Sequence, residues 1–253
     1  MIHFVGAGPG AVDLITVRGK MLLETADQII YAGSLVNAEL LQYAKKRCRI
    51  LNSASMTLET VTAAMAEGEE MGWHTVRLHT GDPSLYGAIR EQMDILEEKG
   101  ITYDIVPGVS SFAAAAAAAR AEYTLPGVSQ SVIITRMEGR TPVPDKQKIA
   151  DYAAHQATMV IFLSSSLLAA LTAELLRGGY DAETPAMIVY KASWPDEKVL
   201  PCTVASLAET AAANGICKTA LILVGPFLQA AYERSRLYDP TFSHGCRMAV
   251  AKP

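Results

Sequence analysis

Apolar, β-branched segments recur at Ile2–Val5, Gln28–Tyr31, Arg49–Leu51, Thr75–His79 and Tyr103–Val106, and stretches with helical spacing, such as Thr57–Glu70 and Ala88–Lys99, separate them. That alternation predicts an α/β chain with a parallel sheet and crossover helices. Within Thr57–Glu70, Leu58, Val61, Ala64, Met65 and Gly68 share one helical face, and Gly72 supplies the stop. Gly100 follows Lys99 in the same way, where a left-handed residue is wanted. The alanine-rich run Phe112–Ala119 predicts a helix of small side chains, with Ser110 and Ser111 as N-caps.

Leu125-Pro126-Gly127 then interrupts the pattern, and a second series follows. It predicts strands at Val132–Thr135, Thr158–Leu163, Ala186–Tyr190 and Thr219–Val224, with helices near Asp145–Ala153, Leu167–Gly178 and Ala205–Asn214. The expected organisation is two α/β halves, residues 1–125 and 126–253, with a C-terminal tail from about residue 235. A cleft between two such halves is a common place for a ligand.

Composition narrows the class. Half of the 253 residues are apolar, 19% are charged and the formal net charge is −4, which excludes collagen-like, disordered and highly charged chains. A pI near 5.8 argues against bulk nucleic-acid binding. The N-terminus lacks a basic leader followed by a long apolar stretch, and the densest apolar run is far short of the roughly 20 residues that cross a bilayer. A cytoplasmic protein without membrane association is expected. Cys48, Cys202, Cys217 and Cys246 show no metal-ligand spacing and are read as free thiols.

Gly6, Gly8 and Ala11, in the segment Val5-Gly6-Ala7-Gly8-Pro9-Gly10-Ala11 after the first predicted strand, formally meet the dinucleotide-binding fingerprint. A nicotinamide site also asks for a carboxylate about 20 residues on, at the end of the second strand. Here that strand ends in Tyr31-Ala32-Gly33, and Asp27 stands at its start. Pro9-Gly10 also suits a tight turn, so a strand-terminating turn without ligand stays open beside nicotinamide binding.

The order of motifs goes further than any one of them. Gly6-Ala-Gly-Pro-Gly10, Asp13-Leu-Ile-Thr16, Thr80-Gly-Asp-Pro83 with Tyr86-Gly87, and Val106-Pro-Gly-Val-Ser-Ser111 follow one another along the chain. This ordered set resembles the S-adenosylmethionine-dependent tetrapyrrole methyltransferases. Further stretches are similar to the members that act on carbon 11 of precorrin-4 or cobalt-precorrin-4 in corrin formation: Tyr31-Ala-Gly-Ser-Leu-Val36, Gly87-Ala-Ile-Arg-Glu-Gln-Met93, Thr135–Pro144, Tyr190-Lys-Ala-Ser-Trp-Pro-Asp-Glu197 and Leu237–Gly245. The stretch Tyr190–Glu197 looks slightly closer to the cobalt-containing branch. The resemblance implies a two-domain, non-Rossmann tetrapyrrole methylase fold with the cofactor, S-adenosyl-L-methionine, in the inter-domain cleft. It also implies an anionic tetrapyrrole substrate, no metal site in the protein, and a homodimer. Its cofactor residues carry over to Pro9, Gly81, Asp82, Leu85, Ser110, Ser111, Leu163, Ala192, Thr219 and Ala220.

Several of these residues also have ordinary structural readings. Asp82 suits either a cofactor contact or the N-cap of the helix that follows. Tyr86 packs in the core or lines the substrate trough, and His79 is a packed histidine or a proton acceptor; both are candidate catalytic groups. Arg136 and Arg140 are solvated surface or bind ring carboxylates through forked hydrogen bonds, with Lys191 and Arg90 as further candidates. His244 sits in a tail that would cover the cleft or a neighbouring subunit. Two rival functions remain: methylation at another ring carbon, as in uroporphyrinogen III, and a non-catalytic nucleotide-binding module.

Overall fold

Three strands are buried at every position: β1 (Ile2–Gly6) and, later in the chain, the strands Thr75–His79 and Ala220–Val224. Sheets with both faces covered need such continuously apolar strands. In the computed structural model, which describes residues 1–229 and 231–250, the chain divides into two compact units. The first comprises Met1–Ala118 together with Lys191–Lys198, and the second comprises Ala119–Tyr190 and Val199–Pro253. The division lies ahead of the Pro126 turn that the sequence suggested, and the return of residues 191–198 to the first unit had no sequence signal.

In the first unit β1 is followed by α1 (Val17–Thr25), β2 (Gln28–Tyr31), β3 (Arg49–Asn52), α2 (Leu58–Glu70), β4 (Thr75–His79), α3 (Arg90–Glu98), β5 (Tyr103–Val106) and α4 (Ser111–Ala119). The strands form one parallel sheet in the order β3-β2-β4-β1-β5. The parallel sheet matches the sequence expectation, and its order differs from the 3-2-1-4-5-6 of a Rossmann fold. Two apolar clusters cover its faces: Val5, Leu23, Ile29 and Leu78 on one side, and Phe4, Ile30, Met65 and Leu96 on the other. α1 was not foreseen. It carries Gly19 in its interior, where a Cβ would come within 3.0 Å of Val5, so this helix packs against β1 through a glycine. Thr16 caps it, its hydroxyl accepting the Gly19 N–H at 3.1 Å.

The second unit runs β6 (Val132–Arg136), α5 (Ile149–Ala153), β7 (Thr158–Phe162), α6 (Leu168–Arg177), β8 (Pro185–Tyr190), β9 (Lys198–Thr203), α7 (Leu207–Ala213) and β10 (Ala220–Val224). Its sheet order is β6-β7-β10-β8-β9. β6 and β7 are parallel, whereas β10 is antiparallel to both β7 and β8, so this sheet is mixed. Met159, Ile161, Leu171, Leu175, Ile188, Leu207 and Ile222 lead its core. β9 escaped the sequence reading because Pro201 interrupts it. A proline is tolerated in an edge strand, and β9 stands at the end of the sheet. Among the described residues no helix is long and apolar enough to span a membrane.

Candidate functional site

Three loops leave the carboxyl ends of β4, β1 and β5, which are neighbours in the sheet. Open parallel sheets place ligands at this edge. The loops are tied to one another. Gly8 and Gly81 exchange backbone hydrogen bonds, Gly81 N–H to Gly8 O at 2.8 Å and Gly8 N–H to Gly81 O at 3.3 Å, and Ala7 N–H donates to His79 O at 2.7 Å. Only glycine fits where these backbones cross: a Cβ on Gly108 would lie 2.1 Å from Gly81 O, and one on Gly6 would lie 2.5 Å from Gly108 Cα. The glycine-rich motifs that sequence reading separated by a hundred residues therefore form one backbone knot.

Asp82 is the side chain that secures it. One carboxylate oxygen accepts the Gly108 N–H at 2.8 Å, and the other accepts the Ser84 N–H at 2.8 Å and the Ser84 hydroxyl. Partial burial alone would raise its pKa. The hydrogen bonds from the Ser84 hydroxyl, the Gly108 N–H and the Ser84 N–H outweigh that and hold the carboxyl below its ordinary value. The helix-cap alternative is corrected: α3 begins at Arg90, with Ile89 at its N-cap position, and Asp82 closes a local turn well before it. A carboxylate has about four lone-pair positions, of which three are occupied, so one remains for a ligand.

Pro9 is buried and its carbonyl accepts the Trp194 indole N–H at 3.0 Å. Ser110 is buried, Leu85 and Ser111 are half-buried, and α4 starts at Ser111, directing its first backbone N–H groups toward the loops' end of the sheet. Ala192 is buried in the segment that carries Trp194. The residues of the first unit that the family resemblance assigns to the cofactor thus lie on the tied loops and that segment. The second unit holds the rest: Leu163 directly after β7, 60% exposed, and Thr219-Ala220 at the start of β10, where Ala220 O accepts the Ser165 hydroxyl at 3.0 Å.

Backbone strain marks the same positions independently. Non-glycine residues with positive φ are rare outside special sites. Among the described residues they are Tyr86 (φ 56°), Ala88 (49°), Leu163 (52°), Lys191 (46°), Ser193 (70°) and Thr219 (57°), with Arg120 (51°) and Gln156 (48°) just past helix ends elsewhere. Leu163 and Thr219 are themselves expected cofactor residues, Lys191 and Ser193 flank Ala192, and Tyr86 follows Leu85. Strain of this kind persists where surrounding structure enforces it and clusters at functional sites. No sequence signal reveals it, because none of these residues is glycine.

The two candidate catalytic groups have opposite environments. His79 is 4% exposed, packed near Phe4, and its Nε2 has no hydrogen-bond partner. Burial, assisted by the nearby Arg77 charge, pushes its pKa down to about 3, so the imidazole is neutral and shut off from solvent at ordinary pH. That is the packed-histidine alternative. Tyr86 is 45% exposed on the strained turn. The buried cation Arg77 was overlooked; it donates to Gln92 Oε1 at 3.0 Å and Ile30 O at 3.1 Å and braces α3 on the sheet.

The four basic candidates also separate. Arg136 and Arg140 line one cavity of about 470 Å³ in the second unit, together with Leu163 and Thr141. Arg136 spends its guanidinium on its own loop, donating to Met137 O, Thr141 O and Pro142 O at 3.3, 3.2 and 2.7 Å. Arg140 is exposed and, among the described residues, makes no such bond. Lys191 pairs with Asp196 at 2.7 Å. Arg90 pairs with Asp94 and Glu97, whose carboxylates would repel an anionic ligand. Sequence reading also missed Ser164, which accepts the Met137 N–H at 2.8 Å and fixes the arginine loop to the end of β7.

Comparison with known proteins adds a family to this geometry. The profile of the tetrapyrrole (corrin/porphyrin) methylases matches residues 1–208. The chain belongs to that family. It is 53% identical over 252 residues, 99% of this chain and 97% of the other, to a cobalt-precorrin-4 C(11)-methyltransferase of Methanocaldococcus jannaschii. Among solved structures it resembles a cobalamin biosynthetic enzyme, cobalt precorrin-4 methyltransferase, with a TM-score of 0.89, 47% identity and coverage of 90% of this chain and 96% of that one. It is similar, at 25% identity and a TM-score of 0.76, to a uroporphyrin-III C-methyltransferase of Thermus thermophilus complexed with S-adenosylhomocysteine, covering 92% of this chain and 95% of that one. The two-unit α/β architecture is that of the methylase family.

Proposed function

We propose that this protein transfers a methyl group from S-adenosyl-L-methionine to carbon 11 of cobalt-precorrin-4 or precorrin-4, giving the corresponding precorrin-5 and S-adenosylhomocysteine in corrin biosynthesis. The observation that carries this reading is the 53% identity, across nearly the whole of both chains, to a cobalt-precorrin-4 C(11)-methyltransferase. The likeness to the uroporphyrin enzyme is much lower, at 25%, which favours carbon 11 over the uroporphyrinogen positions. That relatives 53% and 47% identical are cobalt-precorrin-4 C(11)-methyltransferases supports the cobalt-containing substrate.

The residues present suit the cofactor. The tied loops offer backbone groups, one free lone-pair position on Asp82 and the first turn of α4, a donor and acceptor set for a zwitterionic nucleoside. When bound, the cofactor supplies an electrophilic methyl group on a sulfonium. The chain's contribution is to hold two reactants in line and exclude competing geometries, which by itself accounts for a large part of such a barrier. Pro9, Gly81, Asp82, Leu85, Ser110, Ser111 and Ala192 of the first unit, and Leu163, Thr219 and Ala220 of the second, are the proposed cofactor residues. Arg140 holds a ring carboxylate, and Arg136 shapes the loop that presents it. Tyr86 is the proposed group for handling the proton lost from the ring, since His79 is buried and neutral.

The proposed enzyme works in the cytoplasm as a homodimer. Exposed Tyr232, Leu237, Tyr238 and Met248 along the C-terminal tail support a partner surface, and sedimentation at two concentrations checks it. The reaction is tested with labelled S-adenosylmethionine and enzymatically prepared precorrin-4, with and without cobalt, locating the new methyl group by mass spectrometry and NMR. Methylation at carbon 11 is expected; methylation elsewhere overturns the position. Calorimetry with S-adenosylhomocysteine and NAD separates the methylase from a nucleotide-binding module.

A further inference from the structure

Residues 191–198 join β8 to β9, yet they belong to the compact unit formed by Met1–Ala118. Two hydrogen bonds attach them to the glycine-rich loop after β1. The Trp194 indole N–H donates to Pro9 O at 3.0 Å, and the Ala11 N–H donates to Ser193 Oγ at 3.0 Å. Between those two partners stands Gly10, where a Cβ would lie 2.1 Å from the indole ring. The Gly10 carbonyl is held as well, by the Asn37 amide at 3.0 Å. Three successive loop residues are thus fastened by side chains that lie far away in sequence.

The segment is braced so that Trp194 stays in place. Lys191 Nζ pairs with Asp196 at 2.7 Å and stands 5.4 Å from the centre of the indole ring. The Ser193 N–H donates to Glu197 Oε2 at 2.6 Å, the Trp194 N–H to Lys191 O at 2.9 Å and the Glu197 N–H to Trp194 O at 3.0 Å. Lys191 and Ser193 adopt left-handed backbone on either side of Ala192, and the bracing is what can sustain that strain. Tyr-Lys-Ala-Ser-Trp-Pro-Asp-Glu is therefore a built clamp rather than a loop of convenience.

We propose that Trp194 is a positioning residue for the cofactor: it locks Pro9 and Ala192 to each other before the ligand arrives, and Gly10 is the matching seat for its ring. The proposal rests on the reading that Pro9 and Ala192 hold S-adenosylmethionine. Fixing a binding loop in its bound form raises affinity by removing the ordering cost at binding. A clamp of this kind acts on the cofactor and not on the tetrapyrrole carboxylates.

Calorimetric titration with S-adenosylhomocysteine tests it on the full-length wild type, W194F, W194A, G10A and the double variant W194A/G10A. W194F keeps an aromatic ring and loses the donor, so its affinity is expected to fall about fivefold, as for one net hydrogen bond. W194A is expected to lose about tenfold or more. G10A should weaken binding in the wild-type background and add little in W194A, because the ring it collides with is gone. The KM for the cofactor rises while that for the tetrapyrrole stays within about twofold. A merely structural tryptophan would instead lower the urea midpoint and weaken both ligands together. Trp73 and Trp194 are the chain's tryptophans, so in W73F the emission reports Trp194 and should shift when S-adenosylhomocysteine is added. Unchanged cofactor affinity in W194A, additive losses in the double variant, or no emission shift overturns the proposal. A wild type that binds no S-adenosylhomocysteine instead overturns the cofactor reading on which it rests.

Discussion

The Asp82 carboxylate accepts the backbone N–H of Gly108 at 2.8 Å, and this bond ties the loop after β4 to the loop after β5. Its partner is a glycine that no other residue can replace at that crossing, and its second oxygen is committed to Ser84. The acid at position 82 is thus the internal fastener of the edge at which the proposed cofactor sits.

Replacing it as D82N removes the charge from these bonds. A hydrogen bond to a charged group contributes about 1.5–3 kcal/mol, and partial exposure places this one at the lower end. Because the folded pKa is depressed, the stabilisation is present above the unfolded value of about 3.9 and is lost as pH falls through the folded value. Urea midpoints measured from pH 6 down to pH 2.5 should drop less steeply below pH 4 in D82N than in the wild type. S-adenosylhomocysteine affinity should fall as well.

His79 gives a second pH signature in a different window. Its folded pKa is lowered from 6.5 to about 3, so the unfolded chain takes up the proton first as pH falls. Stability from the neutral buried ring is complete above about pH 6.5 and declines steadily toward pH 3. H79L should therefore flatten the stability profile between pH 6.5 and 4. Its activity profile between pH 6 and 8 should keep the wild-type shape, since this imidazole does not titrate there in the folded protein. A lost acid limb in H79L would return His79 to the catalytic group.

Gly108→Ala is expected to be severe. The added Cβ meets the Gly81 carbonyl at 2.1 Å and Gly6 Cα at 2.7 Å, all backbone. Overpacking in a rigid place costs about 1–3 kcal/mol or more. Soluble yield and the urea midpoint should both fall. Gly245→Ala, where nothing lies within 4 Å of the new atom, should leave both unchanged.

The basic residues predict three distinct phenotypes. R140A should raise the tetrapyrrole KM about tenfold or more, from the loss of about 1.5–3 kcal/mol in a charged pair, with an unchanged unfolding midpoint. R136A should weaken the same substrate and also lower the midpoint, because three backbone carbonyls of its loop lose their donor. R90A should leave substrate binding alone, since Asp94 and Glu97 already occupy that guanidinium. Steady-state kinetics paired with urea titration distinguishes them.

Much of the fold was legible along the chain. The buried strands β1, β2 and β4 announce themselves by apolar, β-branched runs, and α2 by its single apolar face closed by Gly72, because burial and period act locally. α1 and β9 were hidden for equally physical reasons. One trades amphipathic signal for a glycine at close contact, and the other is an edge strand that admits Pro201. The mixed order of the second sheet was likewise invisible, since strand direction depends on which strand inserts between β7 and β8.

By itself the sequence determined the α/β class and the family, because those depend on residue type and on spacing that the backbone must obey. Tertiary structure alone decided what the individual side chains do. It turned Asp82 from a possible helix cap into a tie between loops, made His79 a neutral core residue, and assigned Arg136 to its own loop while leaving Arg140 open. It also brought Trp194 onto Pro9, across 185 positions of sequence. Burial, charge partners and unoccupied hydrogen-bonding positions arise from neighbours in space, and no local pattern encodes them.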